Sequence, residues 1–257
     1  MSAARPVVLV TGASRRLGRA MALDLAGHGY DVAVHYRSAA GDAEATVIEL
    51  RALGARANAF QADLADEAAC LALVPAVVAQ FGRLDAVVNS ASTFEHDDPA
   101  SFSVASMEKH WRANTAPAVL LAQALHAHLS DGPRTGCVVN LLDQKLWNPN
   151  PDYFSYTLSK AALQAATVML AQALAPQVRV CGVAPGVTLV SGPMSADEFA
   201  SAHRMTPLQR SSTPDDIARA VRFLIESPAI TGTTLLVDGG QHLSAQPRDV
   251  LYLAKNS

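Results

Sequence analysis

Pro6 to Gly18 reads P-V-V-L-V-T-G-A-S-R-R-L-G. Its first five residues, through Val10, are an apolar, mostly β-branched run, the pattern of a strand buried on both faces. The run ends in Thr11-Gly12-Ala13-Ser14-Arg15-Arg16-Leu17-Gly18, and the pattern beyond it predicts a helix reaching His28. A strand, a glycine turn and a helix aim backbone N–H groups and a helix N-terminus at an anion, typically a dinucleotide pyrophosphate. Only Gly12 and Gly18 are present and Arg16 holds the middle position, so the spacing departs from G-x-G-x-x-G. A turn without a ligand is the competing reading.

The same unit repeats outward. Strands are expected at 31–36, 55–61, 84–89, 136–142, 178–183 and 233–237, and helices at 42–53, 67–81, 104–129, 153–174 and 214–226. Strict alternation with short links predicts an α/β fold, a doubly wound parallel sheet of about seven strands with helices on both faces and right-handed crossovers. A length of 257 residues suits one such domain. Residues 188–213 form a long loop in which Gly192, Pro193 and Pro207 interrupt any helix, and loops of that length are often substrate lids. In the tail, residues 241–257, Val250 to Leu253 offer apolar side chains for docking on a neighbouring subunit.

Composition narrows the partners. Half the residues are hydrophobic, 17% are charged and the net charge is -3. With no Lys/Arg block, neither nucleic acid nor an anionic membrane is an expected partner. Cys70, Cys137 and Cys181 stand singly among apolar neighbours, as buried thiols of a reducing compartment do. No run is long enough to span a membrane, and a cytoplasmic enzyme acting on a small molecule is expected. None of the eight histidines falls in a metal-ligand pattern, so no metal is expected.

Chemistry concentrates at strand ends. After the second strand comes Tyr36-Arg37-Ser38, where an acid would hold the ribose 2′-OH of NAD. An arginine and a serine suit the 2′-phosphate of NADP instead. Asp63, after the third strand, can meet an adenine edge or cap a helix. Phe94 follows the fourth strand among polar neighbours and can stack on a flat ring or close a hydrophobic edge. Asn114 lies inside a helix, where asparagine is disfavoured, so a specific partner is expected, backbone or a water chain near Lys160. Tyr156 and Lys160 are four apart, on one helical face, where the ammonium is expected to lower the tyrosine pKa for acid–base work. Asp143 ends the fifth strand thirteen residues before Tyr156.

Together, T-G-x-x-x-x-x-G at 11–18, Asp63-Leu64, Asn89, Asn114, Tyr156/Lys160 and Pro185-Gly186 resemble the short-chain dehydrogenase/reductase superfamily over nearly the whole chain. The resemblance implies a Rossmann-type fold, Tyr156 as proton donor, Lys160 orienting the nicotinamide ribose, Asn114 supporting a proton relay, and a homotetramer. Three departures are informative: Arg16 in the glycine turn, Asn89-Ser90-Ala91-Ser92 for N-N-A-G, and Asp143 in place of a serine. With His35-Tyr36-Arg37-Ser38, Tyr153 paired with Tyr156, and His203-Arg204 before Pro207-Leu208, they resemble pteridine reductases. That likeness implies an NADPH site built from Gly12, Ser14, Arg16, Leu17, Gly18, His35, Tyr36, Arg37, Ser38, Asp63, Leu64, Asn89, Ser90, Ala91, Lys160, Pro185, Gly186 and Thr188. It also implies a pterin or folate held by Arg16, Ser92, Phe94, Asp143, Tyr153, Tyr156 and His203.

Physical chemistry supports the transfer. Reducing a ketone builds negative charge on oxygen, which an ionised aspartate at Asp143 opposes. Reducing a ring C=N bond requires a proton on nitrogen, which a buried aspartic acid paired with Tyr156 helps supply. The competing readings are a ketone or 3-oxoacyl reductase that tolerates Asp143, and an NADP-binding regulatory protein without turnover.

Overall fold

Apolar residues that fill both faces of a strand need a helix layer on each side, and this decides the architecture. The structure, a computed structural model, describes residues 5–130, 132–190 and 195–253. The strands are β1 (Val7–Val10), β2 (Asp31–Tyr36), β3 (Ala57–Gln61), β4 (Ala86–Asn89), β5 (Gly136–Leu141), β6 (Val178–Pro185) and β7 (Thr234–Val237). They form one sheet in the order β3-β2-β1-β4-β5-β6-β7, parallel throughout. Alternate residues serve opposite layers. Val8, Val10, Val32, Val34 and Val88 pack with Met21 and Leu25 of α1 (Arg16–Gly27), Val47 and Leu50 of α2 (Ala40–Ala52), and Ile217, Val221 and Leu224 of α8 (Pro214–Glu226). Val7, Leu9, Val87, Val138 and Val180 face Leu73 and Val77 of α3 (Glu67–Phe81), Leu121 and Leu125 of α5 (Ala116–Leu129), and Ala171 of α6 (Phe154–Ala173). The doubly wound sheet expected from the alternation is thus present, and α3 and α8 have the expected bounds. Truncating any of these fully buried leucines to alanine costs about 2–5 kcal/mol.

Strand order reverses between β1 and β4, where ligands of such sheets bind. Thr11 fixes this junction. Its hydroxyl accepts from the N–H groups of Ser90 (2.9 Å) and Ala91 (3.0 Å), tying the loop after β4 to the turn after β1. His35 braces the turn from below. The Gly12 N–H donates to Nδ1 at 3.1 Å, so Nε2 carries the proton and donates to the Ala62 carbonyl at 3.1 Å.

Three regions differ from expectation. The helix expected at 104–129 is two, α4 (Val104–His110) and α5, joined by a π turn at Trp111–Thr115. The expected lid loop contains a helix, α7 (Ala196–Arg204), because Ser195 and Glu198 form a reciprocal capping box that starts it. Gly192 and Pro193 lie outside the described residues, and Pro207 follows the helix rather than breaking it. The tail docks on its own chain: Val250 and Leu251 of the one-turn α9 (Val250–Leu253) are buried against Ala202, Phe199 and Met205 in and beside α7.

Candidate active site

A cavity of about 510 Å³ opens at the C-terminal ends of the strands. Its cofactor end begins at the glycine turn. Gly12 has φ +64, and a Cβ on Gly18 would lie 2.2 Å from the Gly12 carbonyl oxygen, so a strand end and a helix start touch as only glycine permits. The N-terminus of α1 then faces the cavity through Arg16, Leu17 and Gly18, with no side-chain cap and no acid in its first turn. Unpaired N–H groups and the positive end of a helix dipole are left for an anion. Arg16 takes a left-handed backbone (φ 55), and its guanidinium crosses to the Val190 carbonyl at 3.0 Å. At the far rim Arg37 and Ser38 line the cavity, and the Arg37 guanidinium holds no partner among the described residues. Asp63 and Leu64 complete this end. Asp63 does not cap α3; that role belongs to Asp66, whose side chain accepts from the Ala69 N–H. These features fit a dinucleotide with an extra phosphate.

The catalytic end is set by α6 and the segment before it. Asp97 caps α6, its carboxylate accepting from the Ser155 N–H at 2.9 Å, and Tyr153 precedes the helix in a left-handed conformation (φ 55). Tyr156 is thereby presented to Asp143, to whose Oδ2 its hydroxyl donates at 2.9 Å. The other oxygen, Oδ1, accepts from the Lys145 N–H at 2.9 Å, so one carboxyl group both caps a short 3-10 turn and faces the tyrosine. Burial pushes the Asp143 carboxyl up, and the Asp249 carboxylate adds to this against the hydrogen bonds it accepts. Tyr156 is pushed well above the ordinary tyrosine range by burial, then by the charge and hydrogen bond of Asp143. This corrects the expectation that Lys160 lowers the tyrosine. The Lys160 ammonium sits 5.7 Å from the Tyr156 ring centroid and donates to the Leu141 carbonyl at 2.7 Å. Burial depresses Lys160 itself to about 8, partly opposed by Asp143.

Phe94 closes the substrate side. It stacks on Tyr153 with centroids 4.1 Å apart and meets Tyr156 edge-on at 4.7 Å. Its ring is 42% exposed, leaving apolar surface toward the cavity. Ser92 lines the same wall and donates to Asn114 Oδ1 at 3.1 Å.

Most of the expected site residues line this one cavity: Gly12, Ser14, Arg16, Leu17, Gly18, His35, Tyr36, Arg37, Ser38, Asp63, Leu64, Ser90, Ala91, Ser92, Phe94, Asp143, Tyr153, Tyr156, Lys160, Pro185, Gly186 and Thr188. Three stand behind it. Asn89 donates to Asn140 at 2.8 Å in a buried chain that continues to Thr167. Asn114, on the π turn, has the expected backbone partners, the Thr93 N–H (2.7 Å) and carbonyl (3.0 Å), and also bonds the Ser159 hydroxyl (3.0 Å). His203 is turned away from the cavity, where Nδ1 accepts from the Ser211 N–H at 3.3 Å and its ring packs on Phe199. The sequence reading passed over Gln144, Lys145, Gln241 and Asp249, which also line the cavity. Lys145 lies between Asp143 and Tyr156 in the sequence; its signal was a charged residue two places past Asp143. Asp249 gave no local signal, because only the fold of the tail brings it there.

The fold and this constellation define an NAD(P)-dependent oxidoreductase. The family model described as enoyl-(acyl carrier protein) reductase matches residues 12–242, and the chain belongs to the short-chain dehydrogenase/reductase family. Among solved structures it is similar to FolM alternative dihydrofolate reductase 1 from Brucella suis in complex with NADP, at 39% identity, with a TM-score of 0.89, covering 96% of this chain and 98% of that one. Pteridine reductase 1 of Leishmania tarentolae is 33% identical over 280 residues, covering 93% of this chain and 97% of the relative. The 3-oxoacyl-acyl-carrier-protein reductase FabG of Staphylococcus aureus is 34% identical over 244 residues, covering 91% and 97%. Among the described residues no helix is long and apolar enough to cross a membrane.

Proposed function

We propose that this chain is an NADPH-dependent reductase of a C=N bond in a pterin or folate ring. The observation that carries the reading is the Asp143 to Tyr156 hydrogen bond at 2.9 Å, with both groups pushed toward their protonated forms. A proton-rich pair suits a reaction that ends with a new N–H bond. NADPH, when bound, would supply the hydride for the ring carbon, and the neighbouring nitrogen would take a proton. Tyr156 holds that proton at its hydroxyl, Asp143 replenishes it, and water restores Asp143. Lys160 places a buried cation beside the pair, and Phe94 and Tyr153 give a flat ring an aromatic wall. Arg37 and Ser38 favour NADP over NAD, as expected where an arginine and a serine, not an acid, follow β2. The likenesses to an NADP-bound FolM structure and to a pteridine reductase support the same reading.

A second reading, a 3-oxoacyl or ketone reductase, has the family model and the FabG likeness in its favour. It requires a carboxyl group to tolerate a developing oxyanion nearby. The deciding assay follows NADPH oxidation with dihydrobiopterin, dihydromonapterin, dihydrofolate and a panel of ketones, with Tyr156→Phe as control. Pterin- or folate-dependent turnover lost in the variant supports the first reading. Turnover on ketones alone, increased by Asp143→Ser, replaces it with the second, and NADPH binding without any turnover points to a regulatory role. The exposed side chains of Trp111, Leu158, Val168 and Met169 suit burial between the subunits of a homotetramer, which light scattering tests.

A further inference from the structure

Beyond the proton pair the cavity has a second charged group that the reaction does not use. Lys145 joins the two. Its backbone N–H holds Asp143 Oδ1 at 2.9 Å and its ammonium holds Asp249 Oδ2 at 3.2 Å, so two carboxyl groups sit at opposite ends of one residue. The lysine is withdrawn: its side chain is 4% exposed against 20% for Asp249, and it also donates to the Asp152 carbonyl at 2.5 Å. Arg248, the other nearby cation, is engaged by Asp152 and is absent from the cavity wall. What this end presents to a substrate is therefore a carboxylate. Asp249 Oδ1 accepts one bond, from the Leu251 N–H at 3.1 Å, and a carboxylate oxygen can accept another. Val250 and Leu251 beside it supply an apolar floor.

The position of this carboxylate follows from the chemistry. In C=N reduction the carbon taking hydride is bonded to the nitrogen taking the proton. A substituent on that carbon leaves the ring from the edge that faces Tyr156 and Asp143, into the end of the cavity that holds Asp249.

We propose that Asp249 selects the substrate's side chain, accepting hydrogen bonds from a neutral, hydroxylated substituent on the reduced carbon and repelling an anionic one. This rests on the pterin reading above. A glutamate-tailed folate brings carboxylates toward Asp249, whereas the hydroxyls of a dihydroxypropyl or trihydroxypropyl chain donate to it.

The test measures kcat/KM for 7,8-dihydrobiopterin, 7,8-dihydrofolate and 7,8-dihydropterin lacking a side chain, in wild type and Asp249→Asn. Folding of the variant is checked by circular dichroism and NADPH fluorescence. Ratios between substrates cancel any effect on proton supply, which all three share. The expected result is a wild type that favours dihydrobiopterin over dihydrofolate, with the preference narrowed roughly tenfold in Asp249→Asn. A preference unchanged by the substitution overturns the assignment. So does a wild type that reduces dihydrofolate as well as dihydrobiopterin, a result that stands even if the variant does not fold. Wild type inactive on all three rings removes the pterin reading and this inference with it, whereas turnover of the bare ring keeps the two questions apart.

Discussion

Tyr156 donates to Asp143 across 2.9 Å in a site where the family's usual serine is absent. The tyrosine hydroxyl therefore meets an acid and not another hydroxyl. Because burial raises the Asp143 carboxyl above its ordinary value, the acid form is held at low pH and lost as pH rises through the raised value. The rate of pterin reduction is expected to fall along that limb. In Asp143→Asn the limb should vanish and kcat/KM should drop by about 10²–10⁴ at all pH values, as a pH series of initial rates will show.

Lys160 is nearly fully buried, and its amine is depressed from 10.5 to about 8. A lysine with a lowered folded pKa destabilises the fold while charged. The cost is complete below about pH 8 and fades as pH rises toward 10.5. Lys160→Met should therefore raise stability at pH 7 by on the order of 2 kcal/mol, allowing for the lost bond to Leu141. The gain should shrink between about pH 8 and 10.5 in thermal melts, while reductase activity is lost.

Arg37 stands at the rim, and its guanidinium holds no partner among the described residues. Arg37→Glu replaces a phosphate-binding fork with a repelling carboxylate. The KM for NADPH is expected to rise about 10–100-fold while that for NADH changes little or falls. Parallel titrations with the two cofactors check this.

Asn114 holds the loop after β4 through both the N–H and the carbonyl of Thr93. Asn114→Ala removes the Thr93 N–H group's partner and one of the two bonds of the Ser159 hydroxyl, costing about 1–3 kcal/mol in urea unfolding. Turnover should fall more than NADPH affinity, because the loop carries Ser92 and Phe94 into the substrate end of the cavity.

The sheet was legible because most strands are apolar runs and the crossovers are helices of ordinary length. The cofactor turn was legible because glycine spacing, rather than distant contacts, makes it. What escaped depended on tertiary structure. Asn114 announced a need for a backbone partner without identifying Thr93, which reaches it only when the loop after β4 and the π turn come together. Lys160 was expected to act on Tyr156 by charge alone, but burial governs both groups and Asp143 lies closer to the hydroxyl. The capping box at Ser195 and Glu198 was present in the sequence, yet the neighbouring Gly192, Pro193 and Pro207 outweighed it. Asp249 and Lys145 are 104 residues apart, and no periodicity links them.

The π turn at Trp111–Thr115 carries one residue more than an α-helix of the same rise would. Chain length, rather than side-chain type, is what orients Asn114. Deleting Ala113 would join Val104–His110 and Ala116–Leu129 into one straight helix, rotated by about 100° on one side of the join. Every residue needed for the contacts with Thr93 and Ser159 would still be present, but aimed elsewhere. When relatives are aligned to this chain, a one-residue gap here marks a change in how the loop above the substrate is held.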